Sequence, residues 1–409
     1  RVSRYWWMQP LSKPIWARCH DRPILADMCC KMPQKRRHWA CVCAAVFLGL
    51  AACTPRPQMD IQPQARGIGT AQAVFVATGR TPRAESPGFT GERDTVLHFA
   101  RFDVSIPPAH QLGEIALPKN GQKTDPQKHF VTLSSTGFDD QTAFNGALRQ
   151  ALAKTPGTSR EAVVFVHGFN TNFTEGLFRA AQLSNDLALG AVVVHYSWPS
   201  LGKPLAYVYD RDSALIARDG LHALLRGLSE AGADRILIVG HSMGGSLVME
   251  GLRQMSLTGD QRTLSRLSGV VMVSPDIDVE LFKSQARQIG TLPQPFVIFT
   301  SERDRALALS SGLTARRPRL GTLADVSEVA DLDVTILEVG AFSAGLGHFT
   351  AGDSPALIAL LTRIDNLDIA LRNDALRRTD LISGTILTIR DATRIVLSPV
   401  AAVADELRP

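Results

Sequence analysis

Apolar and polar positions change rhythm repeatedly along this chain of 409 residues, and each change predicts an element. Short, nearly continuous apolar runs recur at 162–166, 191–196, 235–239, 269–273, 295–300 and 334–339. Between them, apolar side chains fall at helical spacing over 172–187 and 213–228, and again at Leu247, Val248, Leu252 and Met255. Strands that are apolar on both faces, alternating with helices, predict an α/β fold with a mostly parallel central sheet and helices on both faces. Upstream, 73–78 and 98–106 read as strands, the second closed by Pro107-Pro108. The stretch 109–138 holds Gly113, Pro118, Gly121 and Pro126 and reads mostly as loop, followed by a helix over 142–153. Beyond Asn373 the apolar positions Leu381, Ile382, Ile386, Ile389 and Ile395 are scattered, which predicts a C-terminal packing appendage over 373–409. No internal repeat is visible.

Charge and cysteine divide the chain further. Residues 1–52 carry nine Lys/Arg against Asp21 and Asp27, a net +7, which leaves −2 for the remainder of a chain whose total is +5. The basic balance therefore belongs to a leader and not to a nucleic-acid-binding face. Within that leader, Lys35-Arg36-Arg37 precedes a twelve-residue apolar run over 39–50, too short to span a bilayer. Leu50-Ala51-Ala52-Cys53 closes the run like a bacterial lipobox, in which Cys53 is lipid-modified and becomes the mature N-terminus. Met32 would start a signal of ordinary length. The reading is a leader over 1–52, a flexible Pro/Gln/Gly-rich tether over 53–72, and a folded domain over 73–372. It anticipates an envelope protein held to a membrane by an N-terminal lipid, on the outer membrane facing the periplasm. Cleavage at an Ala-x-Ala-like site would instead give a soluble periplasmic or secreted form. All six cysteines lie at or before Cys53, which excludes a disulfide framework or a cysteine metal site in the folded body.

The candidate chemistry centres on Ser242. The run 235–239 leads directly into Gly240-His241-Ser242-Met243-Gly244, the Gly-x-Ser-x-Gly pattern of a strand-to-helix elbow that presents a serine at the sheet edge. The pattern alone is common in a glycine-rich chain, so its context carries the inference. A serine nucleophile needs a base, an acid to orient the base, and amides for the oxyanion. His348, in Gly345-Leu346-Gly347-His348-Phe349, is the one histidine of ten that follows Ser242, which makes it the candidate base. The candidate acid is Asp304, after the run 295–300, in the hydrolase order Ser-Asp-His. Asp276 and Asp278, after the preceding strand, are alternative acids. The Phe169 amide, following His167-Gly168, and the Met243 amide are the candidate oxyanion donors, each worth roughly 3 kcal/mol in a transition state. His167 is expected to shape its loop by hydrogen bonding. With no phosphate-binding loop and no His-Glu-x-x-His, neither metal nor cofactor is anticipated.

Several longer stretches resemble the DUF900 family of bacterial α/β-hydrolases with esterase/lipase-like character. They are Phe165-Val166-His167-Gly168-Phe169-Asn170, Phe178-Arg179-Ala180-Ala181-Gln182, Ser197-Trp198-Pro199-Ser200, Tyr209-Asp210-Arg211-Asp212-Ser213-Ala214, His241-Ser242-Met243-Gly244, Ser274-Pro275-Asp276-Ile277-Asp278 and Asp304-Arg305-Ala306-Leu307, with Ser105-Ile106-Pro107-Pro108-Ala109-His110 upstream. The likeness extends over roughly residues 73–370. It implies the α/β-hydrolase fold and a serine hydrolase mechanism on a small-molecule ester, without naming a substrate. Trp198 and Tyr207 are candidate apolar walls for that substrate, against the alternative that their segments only pack the loop. An acyltransferase or lipase would use the same triad, and a non-catalytic envelope lipoprotein could keep the scaffold alone.

Overall fold

The computed structural model describes residues 56–119, 121–155, 157, 159–313, 317–343, 347–363 and 384–397. The leader, with Cys53, lies outside them. The described chain begins in an antiparallel hairpin of β1 (Thr70–Pro82) and β2 (Phe89–Ile106), to which β3 (Val131–Phe138) adds antiparallel. After α1 (Gln141–Leu152) come β4 (Glu161–Val166), α2 (Phe173–Asp186), β5 (Val192–Ser197), α3 (Tyr207–Ala231), β6 (Arg235–His241) and α4 (Met243–Thr258). The short α5 (Gln261–Leu264), β7 (Leu267–Val273), α6 (Val279–Ile289), β8 (Phe296–Thr300), α7 (Arg305–Leu313) and β9 (Val334–Glu338) follow. The short α8 (Thr350–Asp353), α9 (Pro355–Arg363), β10 (Gly384–Ile389) and β11 (Ala392–Leu397) complete it. The eleven strands form one sheet in the order β10-β11-β9-β8-β7-β6-β4-β5-β1-β2-β3. From β11 to β1 every neighbouring pair is parallel.

The continuous apolar runs follow from this architecture, because both faces of the parallel strands are covered. Val164, Val166, Ile236, Ile238, Val270 and Met272 face a core shared with α1, α3, α4 and α6. Val76, Phe165, Val193, Val273, Val297 and Phe299 face the opposite core, filled by Phe173, Leu177 and Phe178 of α2 and by Leu357 of α9. Both layers leave the carboxyl ends of β4, β6, β8 and β9 at one edge, where open α/β sheets place their sites.

Four regions depart from the pattern read in the sequence. β3 occupies the end of the stretch expected to be loop; only Val131, Thr132 and Leu133 are buried, and the Ser/Thr/Gly half of this edge strand faces outward. Helix α3 begins at Tyr207, six positions before its anticipated start, and Asp210 of its first turn is buried and accepts from the Leu201 amide at 2.9 Å. The tail contributes β10 and β11, which extend the sheet beyond β9 and bury Ala392, Ile395 and Leu397. Part of the span read as tether is also ordered: Ile61 bridges Thr132, the Gln62 amide donates to the Thr132 carbonyl at 2.8 Å, and Ala65 is buried against Val131 and Leu133. No helix among the described residues is long and apolar enough to cross a membrane.

Candidate active site

β6 ends at His241, and the chain turns so sharply into α4 that Ser242 takes φ 52° and ψ −122°, a region costing about 1–3 kcal/mol for a residue with a side chain. The surroundings hold it there. The Ser242 amide donates to the Val273 carbonyl at 2.9 Å, and the Ser242 carbonyl accepts from Gly245 at 2.9 Å and Asp276 at 3.2 Å. The flanking glycines are steric requirements: a Cβ on Gly244 would stand 2.4 Å from the carbonyl oxygens of Val166 and His167, and one on Gly240 would meet Gly245 and Val248 at 3.0 Å. The elbow is thus wedged between β4 and β7.

Beyond β9, the chain brings His348 to the same edge. Its Nδ1 lies 2.8 Å from Oδ2 of Asp304, whose side chain is fully buried, while the imidazole is about one-fifth exposed. Asp304 Oδ1 accepts from the Leu307 amide at 2.9 Å in the first turn of α7, so both carboxylate oxygens are engaged. The His348 ring stands 4.8 Å from the ring of His241, the residue before Ser242, and its carbonyl lies 3.3 Å from His241 Nε2. Next to it Phe349 packs on His241 at 4.4 Å and under the Arg179 guanidinium at 4.7 Å, with Arg179 also paired to Asp353 at 2.8 Å. These contacts anchor α8 and the segment carrying His348 to α2.

The alternative acids are occupied elsewhere. Asp276 accepts from Ser310 at 2.7 Å and from the Tyr207 hydroxyl at 2.9 Å, and it pairs with the buried Arg319 at 3.2 Å. Asp278 caps α6 by accepting from the amides of Glu280 and Leu281 at 2.9 and 3.1 Å. Neither carboxylate reaches His348.

The loop after β4 lies against the elbow: a Cβ on Gly168 would come within 2.9 Å of Ser242 Cβ. Phe169 is therefore carried beside the serine. The Met243 amide begins α4, where helical geometry leaves the first N–H groups without intrahelical partners. Asn170 supports the turn at φ 56°, a conformation its short polar side chain tolerates. His167 is buried, with Nδ1 2.8 Å from the Gly168 carbonyl and Nε2 3.2 Å from Arg80, and its ring is stacked on Trp198 at 4.8 Å. Burial first, and then the charge of Arg80, hold its pKa well below the ordinary histidine value. The same Nε2 also lies 3.0 Å from the Trp198 carbonyl, so the ring is held by Gly168 on one side and by Trp198 and Arg80 on the other. Trp198 is fully buried behind this loop, donating its indole N–H to the His167 carbonyl at 2.7 Å, so it packs the loop instead of walling a substrate. Tyr207 does stand at the edge, its ring 5.3 Å from Phe169.

Residues 140–363, more than half the chain, match the family described as alpha/beta hydrolases of unknown function, DUF900. The chain belongs to the DUF900 family. No curated protein matches this DUF900 chain. Among solved structures it is similar to Aspergillus fumigatus lipase B, at 12% identity and TM-score 0.34 over 51% of this chain and 53% of that one. It spans about half the length of that lipase. It is also similar to a fungal esterase from Rhizomucor miehei (13%, TM-score 0.33, 78% and 93%) and to the bacterial brefeldin A esterase (13%, 0.29, 89% and 79%). Likenesses this slight carry no functional argument.

Two cavities of about 270 Å³ flank the sheet of the DUF900 chain. One is lined only by apolar side chains such as Val239, Val271 and Phe299, under α2. The other is bordered by Met243, Tyr207, Asp276 and Arg319, beside the elbow. Among the described residues no cluster of three or more His, Cys, Asp or Glu could hold a metal ion. Arg80 carries a single signal in the sequence, its phase: it follows Val74, Val76 and Thr78 at every second position on a buried face.

Proposed function

We propose that this chain is a serine hydrolase of carboxylic esters that works through an acyl-Ser242 intermediate. The observation that carries the reading is the 2.8 Å contact between His348 Nδ1 and the buried Asp304, at the strand edge that also presents the strained Ser242. In that reading Asp304 accepts from Nδ1–H, which leaves His348 Nε2 to take the Ser242 proton. Ser242 Oγ attacks the ester carbonyl, and the oxyanion is met by the amides of Phe169 and Met243. The tetrahedral intermediate collapses as His348 returns the proton to the departing alcohol oxygen. Water, deprotonated by the same Nε2, then attacks the acyl-serine; the carboxylic acid leaves and Ser242 recovers its proton.

A fluorophosphonate probe tests the reading directly. Wild-type protein is expected to label and Ser242→Ala not to; a folded wild type without Ser242-dependent labelling would instead favour a non-catalytic scaffold. Assays of short and long acyl esters, with and without an acceptor alcohol, separate an esterase from a lipase or acyltransferase. The sequence Leu50-Ala51-Ala52-Cys53 supports the further proposal that the enzyme is lipid-anchored in the bacterial envelope, on the outer membrane facing the periplasm. Metabolic labelling with a palmitate analogue should be lost in Cys53→Ala; unchanged labelling would remove the anchor from the reading.

A further inference from the structure

The loop that carries Phe169 is gripped from two sides by fully buried groups of opposite charge that do not touch each other. On one side is Arg80, near the end of β1. Its guanidinium donates to the carbonyls of Thr171 at 3.0 Å, Ser200 at 2.7 Å and Thr90 at 3.0 Å and to Ser197 Oγ at 2.9 Å, and it lies 3.2 Å from His167 Nε2. All five contacts are to neutral groups. On the other side is Asp210, in the first turn of α3, which accepts from the amides of Asn170 at 3.2 Å and Leu201 at 2.9 Å and from the Ser200 hydroxyl. The Thr171 amide donates to that same hydroxyl at 3.2 Å. Asn170 and Thr171 are therefore held by their amides from the Asp210 side, and Thr171 by its carbonyl from the Arg80 side. Ser200 lies between the charges, its carbonyl toward Arg80 and its hydroxyl toward Asp210.

A lone buried charge is expensive, and two opposite ones in a common low-dielectric region compensate each other at a distance. Both residues are fully buried, and Asp210 is the largest of the charges favouring the protonated form of Arg80. Burial pulls the Arg80 pKa down to about 9, so it remains a cation at neutral pH. This arrangement also accounts for two of the family-like stretches, Ser197-Trp198-Pro199-Ser200 and Tyr209-Asp210-Arg211, which the triad leaves unused.

We propose that Arg80 and Asp210 are positioning residues that clamp the oxyanion loop from opposite sides and so fix the Phe169 amide against Ser242. This rests on the serine hydrolase reading above. The clamp touches no substrate; it acts through the loop backbone, and its loss is felt where charge develops on the carbonyl oxygen.

The test uses the full chain with Arg80→Met, Asp210→Asn, the double variant, Arg80→Lys, and the milder Ser200→Ala, which keeps both charges. Active sites are titrated with a fluorophosphonate so that rates refer to folded, competent protein. Turnover of a p-nitrophenyl ester and inhibition by a trifluoromethyl ketone, which forms the tetrahedral adduct, are then measured. In each charge-removing variant kcat per titrated site is expected to fall about 10- to 100-fold with KM within about twofold, and the ketone should weaken by the same factor. Arg80→Lys should recover part of that loss, and Ser200→Ala should show a smaller one. The double variant should regain thermal stability relative to the single variants, since no buried charge is left uncompensated, without regaining kcat. Titrated sites that turn over at the wild-type rate, or a double variant that regains rate along with stability, would overturn the clamp alone. A wild type that does not label at Ser242 would overturn the hydrolase reading and the clamp with it.

Discussion

At the scale of single residues, the carboxylates near the sheet edge do different work although each follows the end of a strand. Asp304 is engaged by His348 and by the Leu307 amide, whereas Asp276 is engaged by Arg319, Ser310 and Tyr207. Asp304→Asn should leave the fold intact and lower kcat by about 10⁴, as expected when the base loses its orienting acceptor. Asp276→Ala should cost about 3–5 kcal/mol of stability, because a buried arginine loses its carboxylate. Denaturant titration beside ester turnover separates the two, and a triad-scale loss of rate in folded Asp276→Ala would reverse the assignment. As candidates, Ser242 and His348 stand out in the sequence through the elbow pattern and the order of histidines along the chain. The acid could not be decided that way, because Asp276 and Asp304 both follow apolar runs. What separates them is spatial: β9 lies beside β8 and not beside β7, so the segment with His348 meets the loop after β8. Arg80 was illegible for another reason, since a cation in a strand normally marks an exposed face.

At the scale of elements, strands covered on both sides announce themselves as apolar runs, and those flanking the site were readable for that reason. Edge elements were not. β3 and the β10–β11 hairpin mix Thr, Ser and Arg with apolar positions because part of each faces outward. The hairpin nevertheless belongs to the sheet. Ile395 is fully buried against the core beneath β9, whereas Leu387 on the outer strand is 50% exposed. Ile395→Ala should therefore cost about 2–4 kcal/mol, while Leu387→Ala stays near zero. Equal denaturation midpoints for both variants would show that the hairpin lies outside the cooperative unit. Helix α2 has its own local signal: Asn172 and Glu175 form a reciprocal capping box, Asn172 Oδ1 accepting from the Glu175 amide and Glu175 accepting from the Asn172 amide. That box fixes the start of the helix immediately after the loop of Phe169.

For the whole molecule, the buried histidines tie stability to pH. His167 and His195 are fully buried, and desolvation lowers both pKa values, that of His195 to about 3. Their folded-state values lie below the unfolded value of about 6.5, so the stability they contribute is complete above that pH and is lost as the unfolded chain takes up protons below it. Together they should steepen the loss by up to about 2.7 kcal/mol per pH unit, continuing toward pH 3 for His195. Urea midpoints between pH 8 and pH 5 check this, and His195→Gln should lower the slope by up to about 1.4 kcal/mol per pH unit, the share of one histidine. A midpoint that stays flat over that range would contradict it. The stacking of Trp198 on His167 has a separate consequence. Trp6, Trp7, Trp16 and Trp39 all precede Cys53, so a chain beginning at that cysteine contains one indole, placed directly behind the loop of Phe169. Its native emission is a built-in optical gauge of how tightly that loop is seated, readable without any attached dye and before a substrate is known.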